Sequence, residues 1–104
     1  MDLLELGDKA VELRARFDRA AGKAGRQPWT NEQIMQGFVV DVGALMRAVM
    51  VKSGAREGPD GDRKLGHELA DCLWSVLVLA RAYGIDLEKE YQAMIDQVGA
   101  DLSP

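Results

Sequence analysis

The stretch that decides the fold of this 104-residue chain is GHELADCLWSVLVLARAYGIDL, residues 66–87. It places two acids, Glu68 and Asp71, three residues apart at the start of a segment with helical periodicity. From Cys72 to Ala80 the segment is apolar nearly all the way round, and such a helix is stable only when it is buried on more than one side. The stretch therefore predicts a central helix that also carries an acidic site.

The composition predicts one globular domain and argues against a nucleic-acid binder. Hydrophobic residues make up 47% of the chain and charged residues 29%, which is the balance of a folded soluble protein rather than a disordered one. The formal net charge is −4, and the basic residues are interleaved with acids instead of forming the stripe that contacts a polyanion. We therefore expect no nucleic-acid partner.

The single cysteine and the N-terminal segment predict a cytoplasmic protein. Cys72 is the only cysteine, so no internal disulfide is possible, and we expect it to be a small buried residue in a reducing compartment. The first residues are acidic and amphipathic, unlike a signal peptide. No uninterrupted apolar run approaches the ~18 residues of a membrane span, so we expect no membrane partner.

Periodicity and capping residues predict four helices, at about residues 2–24, 31–52, 62–83 and 87–98. The helices are expected to start at four capping residues, namely Asp2, Thr30, Asp62 and Asp86. Residues 53–61 contain three glycines and a proline and predict a loop, and Gly99 predicts the end of the fourth helix before a loose tail. The chain 1–104 is therefore expected to be all-α, a single four-helix bundle.

The third helix also predicts an assembly of more than one chain. Trp74, Leu77 and Val78 lie off its main apolar stripe. A lone bundle of this size would leave them in water, and a second chain is the simplest cover. We expect a homodimer or a homotetramer.

Three carboxylates are expected to converge between the second and third helices. Glu68 lies at the edge of the apolar stripe with Asp71 about 60° further out, and Asp41 lies at the corresponding edge of the second helix. Like charges at such a partly buried position repel unless a cation joins them. Oxygen ligands alone suit Mg²⁺. The alternative is structural, since acids near a helix start favour the macrodipole without binding anything.

Trp29 has two possible roles. It precedes the Thr30 cap, and Ile34 occupies the fourth helical position, so the spacing is that of a hydrophobic staple. The other role is a stacking surface for a base beside the acidic site. Arg47 is placed by the helical period nearly opposite the Asp41 flank, so we expect it not to reach that site.

The chain resembles the MazG-like, all-α nucleoside triphosphate pyrophosphohydrolases. The resemblance lies in HELADCLW at 67–74 and GIDLE at 84–88, and upstream in PWT at 28–30 and FVVDVGAL at 38–45, within a region of about 10–98. It implies a helical bundle that dimerises or tetramerises. It also implies Mg²⁺, with Mn²⁺ as a substitute, for the cleavage of a nucleoside triphosphate to the monophosphate and pyrophosphate.

The resemblance also assigns the acids and shows one departure. Glu68 and Asp71 match the ExxD motif of the family, and Asp41 matches a glutamate of its first acidic motif. Ala44 stands where the family has a further glutamate ligand. The surviving acids favour a pyrophosphohydrolase in which Asp41, Glu68 and Asp71 hold Mg²⁺ on the triphosphate. Ala44 favours a family member that has lost catalysis and binds a nucleotide or serves as an assembly module. A helical dimer without any ligand is the third possibility.

Overall fold

The computed structural model describes residues 1–58 and 61–104, and it contains four α-helices and no strand in those ranges. The helices are α1 (Leu3–Lys23), α2 (Asn31–Lys52), α3 (Gly61–Ala82) and α4 (Leu87–Leu102). The all-α fold with four helices is therefore confirmed.

Local hydrogen bonds fix three of the four helix starts where the capping residues predicted them. The Asp2 carboxylate accepts from the Glu5 amide at 2.8 Å. Thr30 Oγ1 accepts from the Gln33 amide at 3.2 Å while Gln33 Oε1 accepts from the Thr30 amide at 2.9 Å, which completes a capping box. The Asp86 carboxylate caps α4 through the backbone N–H three residues on, at 3.1 Å. These bonds pair backbone donors that a helix leaves free at its start.

The start of α3 differs from the prediction. The helix begins at Gly61, so Asp62 lies in its first turn instead of at the cap. There its carboxylate suits the positive end of the helix dipole and pairs with Lys52 at the end of α2. Of the predicted loop 53–61, residues 59 and 60 lie outside the described residues.

The predicted end of α4 near residue 98 is wrong, because the helix continues to Leu102. A glycine inside a helix costs only about 1 kcal/mol. Here Gln97 Nε2 donates to Asp101 Oδ1 at 3.1 Å, and Ser103 Oγ donates to the Gly99 carbonyl at 3.0 Å. These bonds span Gly99 and stabilise one more helical turn, so the predicted loose tail is mostly helical.

Helix α3 is central, because it packs against both α1 and α2. The buried core joins Ala10 of α1, Ile34 of α2 and the α3 residues Leu77 and Val78. Trp74 packs against this core, and its indole Nε1 donates to the Ala10 carbonyl at 3.2 Å. The expectation that Trp74, Leu77 and Val78 need a second chain is therefore wrong, since α1 and α2 cover them.

A close contact joins α1 to the end of α3. The Arg81 guanidinium donates to the Leu4 carbonyl at 2.8 Å and pairs with Asp8 at 2.8 Å. On the way it crosses the buried Gly7, where a Cβ atom would lie 2.8 Å from Arg81 Nη2. Because Gly7 has no side chain, the Arg81 guanidinium can lie close enough to α1 to bond its backbone.

Several apolar residues of α3 and much of α2 and α4 remain exposed. Tyr83 is 59% exposed, and Leu69 and Leu73 are exposed as well. Leu87 packs against the core, but the following fifteen residues of α4 are exposed. The Cα radius of gyration is 16.7 Å, compared with about 13 Å for a compact chain of this length. The single chain is therefore extended.

One described helix, α2, is long and apolar enough to cross a membrane, judged by length and composition only. Its 18-residue window has a mean hydropathy of 1.6, and 11% of that window is buried within the chain. A core helix of a soluble protein passes the same test.

Candidate acidic site between α2 and α3

The site lies where the second half of α2 passes the first half of α3. The two helices run antiparallel, since Lys52 of α2 pairs with Asp62 of α3 while Ile34 at the other end of α2 joins Val78 in the core. This pairing brings the middle of α2, with Asp41, alongside the Glu68 and Asp71 turn of α3. Asp41 thereby lies on the same side of the α2–α3 pair as Glu68 and Asp71.

Glu68 and Asp71 form a tight group together with His67. Potential ligand atoms of these three residues all lie within 4.8 Å of one another. His67 Nε2 lies 3.2 Å from Asp71 Oδ2, and both side chains are substantially exposed. The spacing of the two acids was predicted from the sequence, whereas the contact between His67 and Asp71 was not.

Asp41 lies outside that tight group but close to the same buried thiol. Cys72 is buried, and the pKa of its thiol is raised, first by burial and then by the negative charges of Asp41, Glu68 and Asp71. The charges of all three predicted acids therefore act on the thiol of Cys72. The sequence contained a signal for this neighbour, because Cys72 follows Glu68 by four residues and shares its side of α3.

A cavity of about 370 Å³ opens beside Glu68 at this end of the bundle. Ala44 and Arg47 of α2 line it, with Lys64 of α3 and Glu57 from the connecting segment. Arg47 was expected not to reach the Asp41 flank; it lines this cavity beside Glu68, whereas neither Asp41 nor Asp71 lines it. The helical period gives the direction of the Cα–Cβ bond, but an arginine side chain is long enough to reach around the helix.

Ala44 lines this cavity together with Glu68. It lies one turn of α2 after Asp41, on the same side of the helix. A methyl group here offers no oxygen to a cation and no charge to the cavity. The position that the resemblance marks as a missing ligand is thus beside the acids and not elsewhere on the helix.

The ring of Trp29 lies against α2 at Gly37, one turn before Asp41. Its ring covers Gly37, where a Cβ atom would come within 3.0 Å of Trp29 Cζ3. Arg14 holds this segment, since it donates to the Trp29 carbonyl at 3.0 Å and to Asn31 Oδ1 at 2.8 Å. Trp29 and Ile34 also line one cavity of about 400 Å³, as a staple pair would. More than half of Trp29 is exposed.

The charge of Glu68 should be measurable through the reactivity of Cys72. Glu68→Gln removes one of the carboxylates that raise the pKa of the thiol, so the thiolate fraction at a fixed pH should rise and alkylation by iodoacetamide should become faster. The rate is measured against pH in the folded protein. Glu88→Gln on the exposed part of α4 is the matched control and should leave the rate unchanged; equal rates for all three proteins would contradict the described geometry.

Comparisons of the chain with protein-family models, with curated proteins and with solved structures give no significant match.

Proposed function

We propose that this protein is a Mg²⁺-dependent nucleoside triphosphate pyrophosphohydrolase of the MazG-like type, acting in the cytoplasm. The proposal is supported by one observation above all. Asp41, Glu68 and Asp71 all lie close enough to the buried Cys72 for their charges to raise the pKa of its thiol, and Glu68 lines a cavity together with Arg47 and Lys64. Acids that hold a metal and cations that bind phosphate are the two parts that hydrolysis of a triphosphate requires.

The residues present fit Mg²⁺. Two oxygens bound to one Mg²⁺ lie at most about 4.2 Å apart, and oxygens of Glu68 and Asp71 already lie within 4.8 Å of each other. A small side-chain rotation is sufficient to close that difference. His67 Nε2 lies 3.2 Å from Asp71 Oδ2 and would compete with a cation for that oxygen, and Asp41 would add a ligand from α2. When bound, Mg²⁺ would neutralise phosphate charge and lower the pKa of a coordinated water.

The other side chains of the site have separate roles in this proposal. Arg47 and Lys64 line the same cavity from two different helices, so both charges can hold phosphate oxygens there. The Trp29 ring over Gly37 offers a flat, half-exposed surface on which a base can stack. In the proposed reaction, water attacks a phosphorus of the triphosphate, and pyrophosphate leaves.

A second candidate function is nucleotide binding without turnover, and Ala44 favours it. The cavity that Glu68 lines carries the methyl group of Ala44 where the pyrophosphohydrolases have a carboxylate. Two or three carboxylates can retain a metal that completes its shell with water. They do not guarantee a base that activates the attacking water. The protein would then hold a nucleotide on the same surface.

A panel of canonical and modified nucleoside triphosphates, assayed for pyrophosphate with Mg²⁺ or Mn²⁺, separates these functions. Pyrophosphate release that needs the metal and disappears in Glu68→Gln, but not in Glu88→Gln, supports the enzyme. A rise in melting temperature with nucleotide and metal, without pyrophosphate, supports the binding module. If neither turnover nor a metal-dependent rise occurs with any triphosphate, both functions are ruled out.

A further inference from the structure

The segment between α2 and α3 folds back over the end of α2. The amides of Ala55 and Arg56 both donate to the Met50 carbonyl, at 2.9 and 3.2 Å. Gly54 permits this reversal, because its φ of 81° lies in the left-handed region that favours glycine. Residues 55 and 56 are therefore bonded to the last turns of α2, and they place the next residue, Glu57, beside that helix.

A close contact holds the residue after Glu57 against α2. A Cβ atom at Gly58 would come within 3.0 Å of Val51 Cγ2, so the backbone at position 58 lies directly on the Val51 side chain. Val51, Glu57 and Gly58 all line the cavity beside Glu68. The contact thus fixes the backbone from which Glu57 lines that cavity, although Glu57 is itself exposed.

Glu57 and Glu68 are the two acids among the described residues that line this cavity. Its basic residues are Arg47 and Lys64, and within residues 1–58 and 61–104 neither of them is ion-paired with Glu57. Position 44 of α2 contributes only the methyl group of alanine. The connecting segment therefore brings to the cavity a carboxylate that this position of α2 does not supply.

The size of the cavity decides how Glu57 can act on a cation held by Glu68 and Asp71. A sphere of 370 Å³ is about 9 Å across, and Glu57 is outside the tight group that contains Glu68 and Asp71. Two oxygens bound to one Mg²⁺ lie at most about 4.2 Å apart. A coordinated water that donates to the second carboxylate lets the two carboxylates lie about 7 Å apart. Since Mg²⁺ keeps several waters, the longer arrangement fits the cavity.

We propose that Glu57 is an outer-sphere ligand of the Mg²⁺ site and replaces the carboxylate that is absent at position 44. This role rests on the proposed function, since it concerns the same cation. The Glu57 carboxylate accepts a hydrogen bond from a metal-bound water and adds negative charge beside the cation. Positions 44 and 57 are then alternative sources of one carboxylate, the first from a helix and the second from a connecting segment.

Titration of the full chain with Mg²⁺ alone, followed by calorimetry, tests this role without requiring turnover. Glu57→Gln keeps the size of the side chain and removes its charge, and the Mg²⁺ dissociation constant should rise at least about 10-fold. Glu88→Gln is the matched control, because it removes the same charge from an exposed position of α4. It should change the constant less than about twofold, since distant exposed charges are screened.

A double substitution tests whether positions 44 and 57 supply the same carboxylate. Ala44→Glu should then tighten Mg²⁺ binding by a larger factor in the Glu57→Gln protein than in the unmodified one, because substitutions that affect one interaction are not additive. Equal factors in the two proteins would show that the two positions act independently, and would overturn the proposal.

The outcomes distinguish the role of Glu57 from the proposed function. If Glu57→Gln leaves Mg²⁺ affinity unchanged while the unmodified chain releases pyrophosphate with Mg²⁺, Glu57 has no such role and the proposed function stands. If the unmodified chain binds no Mg²⁺, both are overturned. Glu57 is exposed in a connecting segment, so Glu57→Gln should shift the melting temperature of the metal-free protein by less than about 4 °C. A loss of Mg²⁺ affinity is then not a loss of folding.

Discussion

Ala44→Glu is expected to tighten Mg²⁺ binding by about 10- to 100-fold. The new carboxylate would enter the cavity beside Glu68, one turn after Asp41. Each added carboxylate increases the affinity for a hard cation and increases repulsion in its absence. Arg47 lines the same cavity, and a salt bridge to it would oppose part of the gain. Calorimetric titration with Mg²⁺ measures the effect directly.

Ala44→Gln is the control for that variant, because it has the same shape without the charge. Its Mg²⁺ affinity should remain close to that of the unmodified protein. If catalysis is limited only by the missing ligand, Ala44→Glu should also release pyrophosphate faster, and Ala44→Gln should not. Equal Mg²⁺ affinities of Ala44→Glu and Ala44→Gln would show that a carboxylate at position 44 does not strengthen metal binding.

Val78→Asp is expected to destabilise the fold by more than about 4 kcal/mol, because it buries an unpaired charge. Val78 is 1% exposed and lies in the core with Ala10, Ile34 and Leu77. Small proteins are stable by about 5–15 kcal/mol, so the variant should be largely unfolded or should unfold at low urea. Urea denaturation at one fixed protein concentration measures the difference.

Val40→Asp is the matched exposed substitution and should cost less than about 1 kcal/mol, mainly through helix propensity. If Val78→Asp unfolded cooperatively with a stability similar to that of Val40→Asp, the core would not close at position 78. Helices α1, α2 and α3 would then not enclose the side chain of Val78.

The parts of the fold that depend on local bonds were predictable from the sequence. The capping box at Thr30 and the cap at Asp86 involve residues three positions apart, so the sequence contains both partners of each bond. The end of α4 was predicted wrongly because Gly99 was treated as a terminator. A helical glycine has only a modest cost, and polar bonds on either side of it offset that cost.

The covered side of α3 could not be predicted, for a physical reason. Its middle is apolar all round, so periodicity does not say which side α1 occupies and which side stays uncovered. Trp74 gives the answer only through its bond to the Ala10 carbonyl, 64 residues away. Contacts between residues so distant in sequence depend on the packing of whole helices.

The acidic residues of the candidate site could be predicted from the sequence, but the basic residue that lines the cavity could not. The period of α3 places Glu68 and Asp71 on one side, and the structure brings Asp41 toward the same thiol. The presence of Arg47 in the cavity beside Glu68 was not predicted, because a helical wheel gives the direction of the backbone position and not of the tip of a long, flexible side chain. Short acidic side chains stay close to that direction, and long basic ones do not.

The passage of Arg81 over Gly7 has a consequence for which sequences can adopt this fold. Any side chain at position 7 displaces the guanidinium, and with it the contacts to the Leu4 carbonyl and to Asp8. A larger residue at position 7 therefore favours a shorter or differently oriented side chain at position 81. We expect the two positions, 74 residues apart, to vary together among relatives of this chain.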